Sequence, residues 1–155
     1  MNLDTPIGAF YNVKKFSKMF YPTSKRSKRW DTIWEAMSQW RESRPEPKAY
    51  NNSLRGYITV KRRSISETAY WGSKNPDSLP FITDHFNEIM RFAVKKEESV
   101  PHSGQSKGFS KIIILERHVK GIGTAKLTVG VRPDGEMVQY CISAAQPFEG
   151  AMAIA

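Results

Sequence analysis

The stretch HVKGIGTAKLTVGVRPDGEMVQYCIS, residues 118–143, constrains the fold of this chain more than any other segment. Apolar and polar side chains alternate through it, and a period of two is typical of β-strands whose two faces have different surroundings. KGIG and PDG interrupt the pattern, and PDG suits a three-residue hairpin turn with a glycine bulge. Together with FSKIIILERHV before it, the stretch predicts three consecutive antiparallel strands within residues 109–145.

The PDG turn predicts how the last two strands pair, because opposed residues of an antiparallel pair share a face. The predicted opposed pairs are Arg132–Glu136, Thr128–Tyr140 and Lys126–Ile142. The apolar face then carries Leu127, Val129, Val131, Met137 and Cys141. The KGIG turn allows two registers for the strand before it, and the one that places Ile113 and Leu115 on the apolar face brings Glu116 and His118 onto the polar face.

The polar face of this predicted sheet carries side chains that can cleave RNA without a metal. A histidine or carboxylate can take the 2′-hydroxyl proton, a lysine can offset charge on the phosphorane, and a histidine or tyrosine can protonate the leaving oxygen. The candidate catalytic residues are Glu116, His118, Lys126, Thr128 and Tyr140. An ordinary solvated sheet face would carry similar residues, so both interpretations stay open.

Two segments have the apolar spacing of helices. Residues 28–43 place five large side chains on one stripe, and residues 80–96 begin with proline at a first-turn position and end in lysines. The stripes are Trp30, Ile33, Trp34, Met37 and Trp40 in the first segment, and Ile82, Phe86, Ile89, Met90 and Ala93 in the second. We expect the second helix to cover the apolar face of the sheet and the first to complete the core.

Sequence patterns also assign the remaining segments of the chain. LRGYITVKRR, residues 54–63, alternates as a strand with one basic face, and residues 72–80 read as a loop. We therefore predict a single α+β domain, with helices packed on one face of a small antiparallel sheet formed mainly by the C-terminal third. Its parts are a basic aromatic arm (1–27), a mainly helical part with one strand (28–97), a flexible loop (98–108), the β-meander (109–145) and a tail (146–155).

Composition excludes several classes of protein. The 155 residues contain no apolar run long enough to span a membrane and no signal-peptide pattern at the start, so we expect a cytoplasmic protein without membrane association. A lone cysteine and three scattered histidines favour neither disulfides nor a metal site. No cofactor is expected, and the oligomeric state is not predicted.

The positive charge is concentrated in one part of the chain. The net charge is +9, and residues 1–63 contain fourteen Lys and Arg against five Asp and Glu, whereas residues 64–155 contain ten of each. Such asymmetry favours an anionic partner, most often nucleic acid, although a solvated surface has the same signature. The candidate nucleic-acid-binding residues are Lys14, Lys15, Lys18, Lys25, Arg26, Lys28, Arg29, Arg55, Lys61, Arg62 and Arg63.

Residues 110–145, with the strands SKIIILERHV and TAKLTVGVR joined through PDG to EMVQYCISA, resemble the C-terminal sheet of the barnase/EndoU/colicin/RelE-like ribonuclease superfamily, which includes modules of phage and mobile-element proteins. The resemblance implies an RNA-binding sheet face and metal-independent cleavage, in which His118, Lys126, Thr128 and Tyr140 take part. It covers under a third of the chain, and the first 70 residues carry no such resemblance.

Three functions are compatible with these observations. The first is a nucleic-acid-binding protein, RNA favoured, that acts as a metal-independent ribonuclease of toxin or phage type. The second is a non-enzymatic phage or mobile-element regulator or anti-defence protein that binds nucleic acid. The third is a module whose basic surface binds an acidic protein, such as an inhibitor or a host protein.

Overall fold

A computed structural model describes residues 25–101 and 108–145, with side chains from residue 28 onward. It confirms the α+β class. The helices are α1 (Lys25–Glu42), α2 (Arg62–Lys74), α3 (Leu79–Asp84) and α4 (Phe86–Phe92), with a 3-10 turn at Pro76–Ser78. The strands are β1 (Lys48–Asn51), β2 (Gly56–Thr59), β3 (Val94–Ser99), β4 (Lys111–Val119), β5 (Gly123–Val131) and β6 (Met137–Ala144).

The strands form one six-stranded sheet in the order β1-β2-β6-β5-β4-β3. The three predicted C-terminal strands are antiparallel neighbours, as expected. The sheet is larger than predicted and is mixed, because β2 runs parallel to β6 through the pairs Ile58–Met137 and Thr59–Val138. This parallel pairing is short, since the chain leaves the sheet after Thr59 and begins α2 at Arg62.

Helices cover one side of the sheet, here called the helix face. The core on this side takes buried side chains from every helix and from the sheet. The helices contribute Ile33, Met37, Ile65, Ala69, Phe81, Ile82, Phe86, Ile89 and Met90, and the strands contribute Ile58, Ile113, Leu115, Leu127, Val129 and Ile142. The predicted register at KGIG is therefore correct, since Leu115 pairs with Leu127 and both are fully buried.

Helix α1 agrees with the prediction for residues 28–43. Ile33 and Met37 are buried in the core, while the tryptophans of the same stripe are partly buried against it. The rings of Trp30 and Trp34 stack with centroids 4.8 Å apart, and Trp40 meets Phe86 edge to face at 5.0 Å. The tryptophan stripe thus packs the helix onto the domain.

The single helix predicted over residues 80–96 is wrong. The chain forms α3 and α4 with a break at His85, and α4 ends at Phe92. The buried amide of Asn51 donates to the carbonyl oxygens of Met90 (2.9 Å) and Ala93 (3.1 Å), so a side chain from β1 satisfies the end of the helix. Residues 94–99 then form β3, which replaces both the predicted helix end and the start of the loop predicted at 98–108.

Helix α2 was not predicted. Arg62 and Arg63, expected at the end of a strand, begin this helix, and the loop expected at 72–80 is occupied by its end, by the 3-10 turn and by the start of α3. Gly72 allows α1 and α2 to approach closely, because a Cβ at this position would overlap the side chain of Ile33. Within the described residues, no helix is long and apolar enough to cross a membrane.

Candidate nucleic-acid interface

The side of the sheet opposite the helix face is here called the open face. Alternation along each strand assigns side chains to it, and cross-strand pairs join them into one surface. Its members include Lys48, Tyr50, Tyr57, Thr59, Ile112, Ile114, Glu116, His118, Thr124, Lys126, Thr128, Val138 and Tyr140. All five candidate catalytic residues therefore lie on this face.

Three of those candidates lie close together on β4 and β5. Glu116 is the cross-strand partner of Lys126, and His118 lies two residues further along β4 on the same face. The imidazole Nδ1 of His118 is 3.3 Å from the hydroxyl of its partner Thr124. A carboxylate, an imidazole and an ammonium group thus share one small area of the open face.

The predicted pairing of β5 with β6 is correct only near the turn. Beyond Val129 a β-bulge shifts the register by one residue, so Thr128 opposes Cys141 and Lys126 opposes Ser143. The predicted partners Tyr140 and Ile142, and the apolar-face position of Cys141, are therefore wrong. The bulge has a packing cause: Gln139 and Ile142 are both fully buried on the helix side although they are three residues apart, which requires one extra residue.

Tyr140, at the bulge, faces α2. Its hydroxyl lies near the carboxylate of Glu67, and its ring meets Phe109 edge to face at 5.9 Å. Burial, and after it the charge of Glu67, raises the pKa of Tyr140. Burial likewise raises the pKa of the neighbouring Cys141 thiol to about 12.

Tyr140 lies next to the candidate Thr128 but is distant from His118. His118 is opposite Thr124 on β5, whereas Tyr140 on β6 lies beside Thr128. Their separation is therefore about 13 Å along the strands and about 10 Å across them. At this separation His118 and Tyr140 cannot act on the same phosphodiester, one taking the 2′-hydroxyl proton and the other protonating the leaving 5′-oxygen.

The open face also has an apolar centre that the sequence did not reveal. Phe109, Ile112 and Val138 form a second buried cluster. Gly130 makes room for it, because a Cβ there would lie 2.5 Å from the Phe109 ring. The guanidinium of Arg63 lies over the same ring, 5.3 Å from its centroid. The open face is therefore aromatic and basic as well as polar.

A tyrosine pair lies at the β1–β2 border of the open face. Tyr50 and Tyr57 are cross-strand partners with centroids 5.3 Å apart and rings at 76°, and they are 44% and 53% exposed. The ammonium group of Lys48 lies 4.6 Å from the Tyr57 ring centroid. Tyr57 lies within the strand predicted over residues 54–63. Tyr50 was missed because KAYN follows prolines, although its buried and exposed residues alternate.

A second exposed aromatic pair lies on α2. Tyr70 and Trp71 are 45% and 49% exposed, with ring centroids 5.0 Å apart at 84°. Lys74 lies over the Tyr70 ring at 4.2 Å and donates to its hydroxyl at 2.6 Å. This pair was missed because the helix that carries it was not predicted.

The cations at the start of α2 lie close together. Lys61, Arg62 and Arg63 follow one another, and the first turn of the helix has no acidic residue. Arg41 of α1 is near: burial, and after it the charge of Arg62, lowers the pKa of the Arg41 guanidinium. Lys61 has a partner, Glu136, at 3.3 Å.

The other predicted nucleic-acid-binding residues have varied positions. Arg29 donates to the carbonyl oxygen of Ser73 at 2.7 and 3.1 Å and so helps to end α2. Lys28 and Arg55 are exposed, and Arg55 has a positive φ of 57° in the β1–β2 turn. Lys14, Lys15 and Lys18 lie outside the described residues, as do the side chains of Lys25 and Arg26.

Comparison with known proteins adds no relative. No protein-family model, no curated protein and no solved structure matches this chain. The resemblance of residues 110–145 to the ribonuclease superfamily therefore stays a hypothesis. In the part of the chain that the structure describes, no group of three or more His, Cys, Asp or Glu side chains could hold a metal ion.

Proposed function

We propose that this protein binds nucleic acid, with RNA favoured, through the open face and the start of α2. The observation that carries the proposal is the grouping of Lys61, Arg62 and Arg63 in and before the first helical turn, beside Arg41. The N-terminus of a helix is positive, so cations there are unfavourable to the isolated fold. A phosphate backbone offsets this cost and releases counterions when it binds.

A salt titration tests this proposal. Binding of a labelled RNA, a single-stranded DNA and a DNA duplex is measured between low and moderate salt for the wild type and for Arg41→Gln/Arg62→Gln. Each lost phosphate contact makes the negative slope of log K against log salt shallower by roughly 0.7 to 0.9, so we expect its magnitude to decrease by up to about 1.8.

Lys95→Gln/Lys96→Gln is the matched control, because it removes the same charge from β3, at the opposite edge of the sheet from β1 and β2. The control should keep the wild-type slope. If the slope became equally shallow in both variants, the salt dependence would reflect net charge alone. A wild type that binds none of the three nucleic acids at low salt would contradict the proposal. Retention of an acidic protein by that non-binding wild type would select the protein-interaction alternative.

A second candidate function is metal-independent ribonuclease activity, which the proximity of Glu116, His118 and Lys126 favours. Glu116 would take the 2′-hydroxyl proton, His118 would protonate the leaving 5′-oxygen and Lys126 would stabilise the phosphorane. Tyr140 is too distant to share that phosphate. Cleavage is scored in the same binding assays with EDTA present: loss of about two orders of magnitude in His118→Ala supports the ribonuclease, and binding without cleavage selects the binding protein alone.

A further inference from the structure

We propose that the nucleic acid is single-stranded and that its bases stack on two aromatic stations, Tyr50–Tyr57 and Tyr70–Trp71. This inference rests on the proposed function and adds the class of ligand. The first station lies on the open face at its β1–β2 border, and the second lies on the exposed side of α2. The cations at the start of α2 come between them along the chain.

The aromatic rings of both stations are accessible although each could bury much apolar area. Four rings are between 44% and 53% exposed, and each is held by its neighbour edge to face. Each station also carries a cation, Lys48 or Lys74, next to a ring. Aromatic rings with adjacent cations bind single strands, because every base has a face to stack and every nucleotide has a phosphate.

A row of α2 side chains connects the second station to the open face, on which the first station lies. Arg63 and Glu67 are one turn apart on α2, and they contact Phe109 and Tyr140 of the open-face side. Trp71 follows Glu67 by four residues, so it continues the same row of the helix. The row therefore leads from Phe109 and Tyr140 of the open face to the second station.

The path between the stations is short enough for one oligonucleotide. The strand from Tyr57 to Lys61 extends about 13 Å, and the helix from Arg62 to Tyr70 extends about 12 Å. With the step of about 4 Å from Lys61 to Arg62, the stations are separated by at most about 29 Å along the chain. A duplex cannot use them, because its bases are stacked on each other and their faces are not available.

The test compares three ligands of one mixed sequence by fluorescence anisotropy: a 12-nucleotide single-stranded RNA, its duplex and a 4-nucleotide fragment. We expect the 12-nucleotide strand to bind at least about tenfold more tightly than the other two, because only it can reach both stations. Tyr50→Ala/Tyr57→Ala should weaken binding of the 12-nucleotide RNA about tenfold or more and leave binding of the duplex unchanged. Tyr50→Phe/Tyr57→Phe keeps both rings and should bind as the wild type does.

Tryptophan fluorescence gives an independent readout of the second station. Trp71 is exposed, whereas Trp30, Trp34 and Trp40 are partly buried on α1. Binding of the 12-nucleotide RNA should quench the tryptophan fluorescence of the wild type. The variant Trp71→Phe should lose most of that quenching while it keeps its affinity for the RNA. Equal binding of strand and duplex, with both readouts unchanged in the variants, would overturn the stacking inference and leave the proposed function intact. Absence of all binding would overturn both.

Discussion

The buried side chain of Asn51 makes three hydrogen bonds that hold two elements in place. Its Nδ2 donates to the carbonyl oxygens of Met90 and Ala93, and its Oδ1 accepts from the backbone N–H of Leu54 at 2.8 Å. One amide therefore ends α4 and closes the β1–β2 turn. Both its donor and its acceptor atoms are used, which explains how a fully buried asparagine is tolerated.

Replacing this amide should destabilise the protein in a graded way. Asn51→Ala leaves two carbonyls and one N–H without their partner and should cost about 1–3 kcal/mol in urea denaturation. Asn51→Asp should cost more, because a carboxylate would face the two carbonyl oxygens. Asn52→Ala is the control: its side chain is exposed, so its stability should stay within about 0.5 kcal/mol of the wild type. A neutral Asn51→Ala would mean that water replaces the amide.

At the scale of elements, the open face depends on the fit of Phe109 over β5. The ring of Phe109 occupies the space where Gly130 lacks a side chain, and it packs with Ile112 and Val138. It also supports Arg63 and Tyr140. The absence of one Cβ thus allows a buried cluster to form on the side of the sheet opposite the helix face.

Gly130→Ala should therefore displace Phe109 and lower stability by about 1–3 kcal/mol in thermal or urea unfolding. Gly56→Ala is a matched control, because there the new Cβ would meet only the flexible end of Met137, which can move. The double variant Phe109→Ala/Gly130→Ala should lose less than the sum of its single variants, since the clash is removed. Full additivity would mean that the two residues do not interact.

At the scale of the molecule, Glu88 connects the helical layer to the sheet. Arg117 of β4 donates to its Oε2 through Nε and Nη2, both at 2.9 Å, and His85 Nδ1 is 3.2 Å from its Oε1. The hydrogen bonds from Arg117 lower the pKa of Glu88 most, burial opposes them, and His85 adds to the lowering. α4 and β4 are thus joined by a carboxylate that must stay ionised.

The direction of this shift predicts acid sensitivity. A carboxylate with a lowered pKa binds fewer protons when folded, so its stabilisation is present above pH about 5 and is lost as the pH falls through the folded pKa. In urea unfolding at several pH values, Glu88→Gln should lose less stability than the wild type between pH about 5 and 3. Glu97→Gln, an exposed carboxylate of β3, should keep the wild-type dependence. Parallel curves for all three proteins would contradict this role of Glu88.

The sequence by itself determined the features whose pattern is local: the α+β class, α1, the strands β4 to β6 and the alternation that separates Leu127 from Lys126. Tertiary structure decided the rest. α4 stops where Asn51 supplies an amide from another strand, and the bulge at Tyr140 arises because Gln139 must meet Thr68 at 2.9 Å while Ile142 stays buried.

The candidate site divides in the same way. Strand alternation was enough to place Glu116, His118 and Lys126 on one face, because that depends on a period of two and one turn. The position of Tyr140 near Glu67 depends on α2, which lies along β6 where β2 has left the sheet. Contacts between residues 67 and 140 leave no trace in the local pattern of either segment, so only the fold could bring them together.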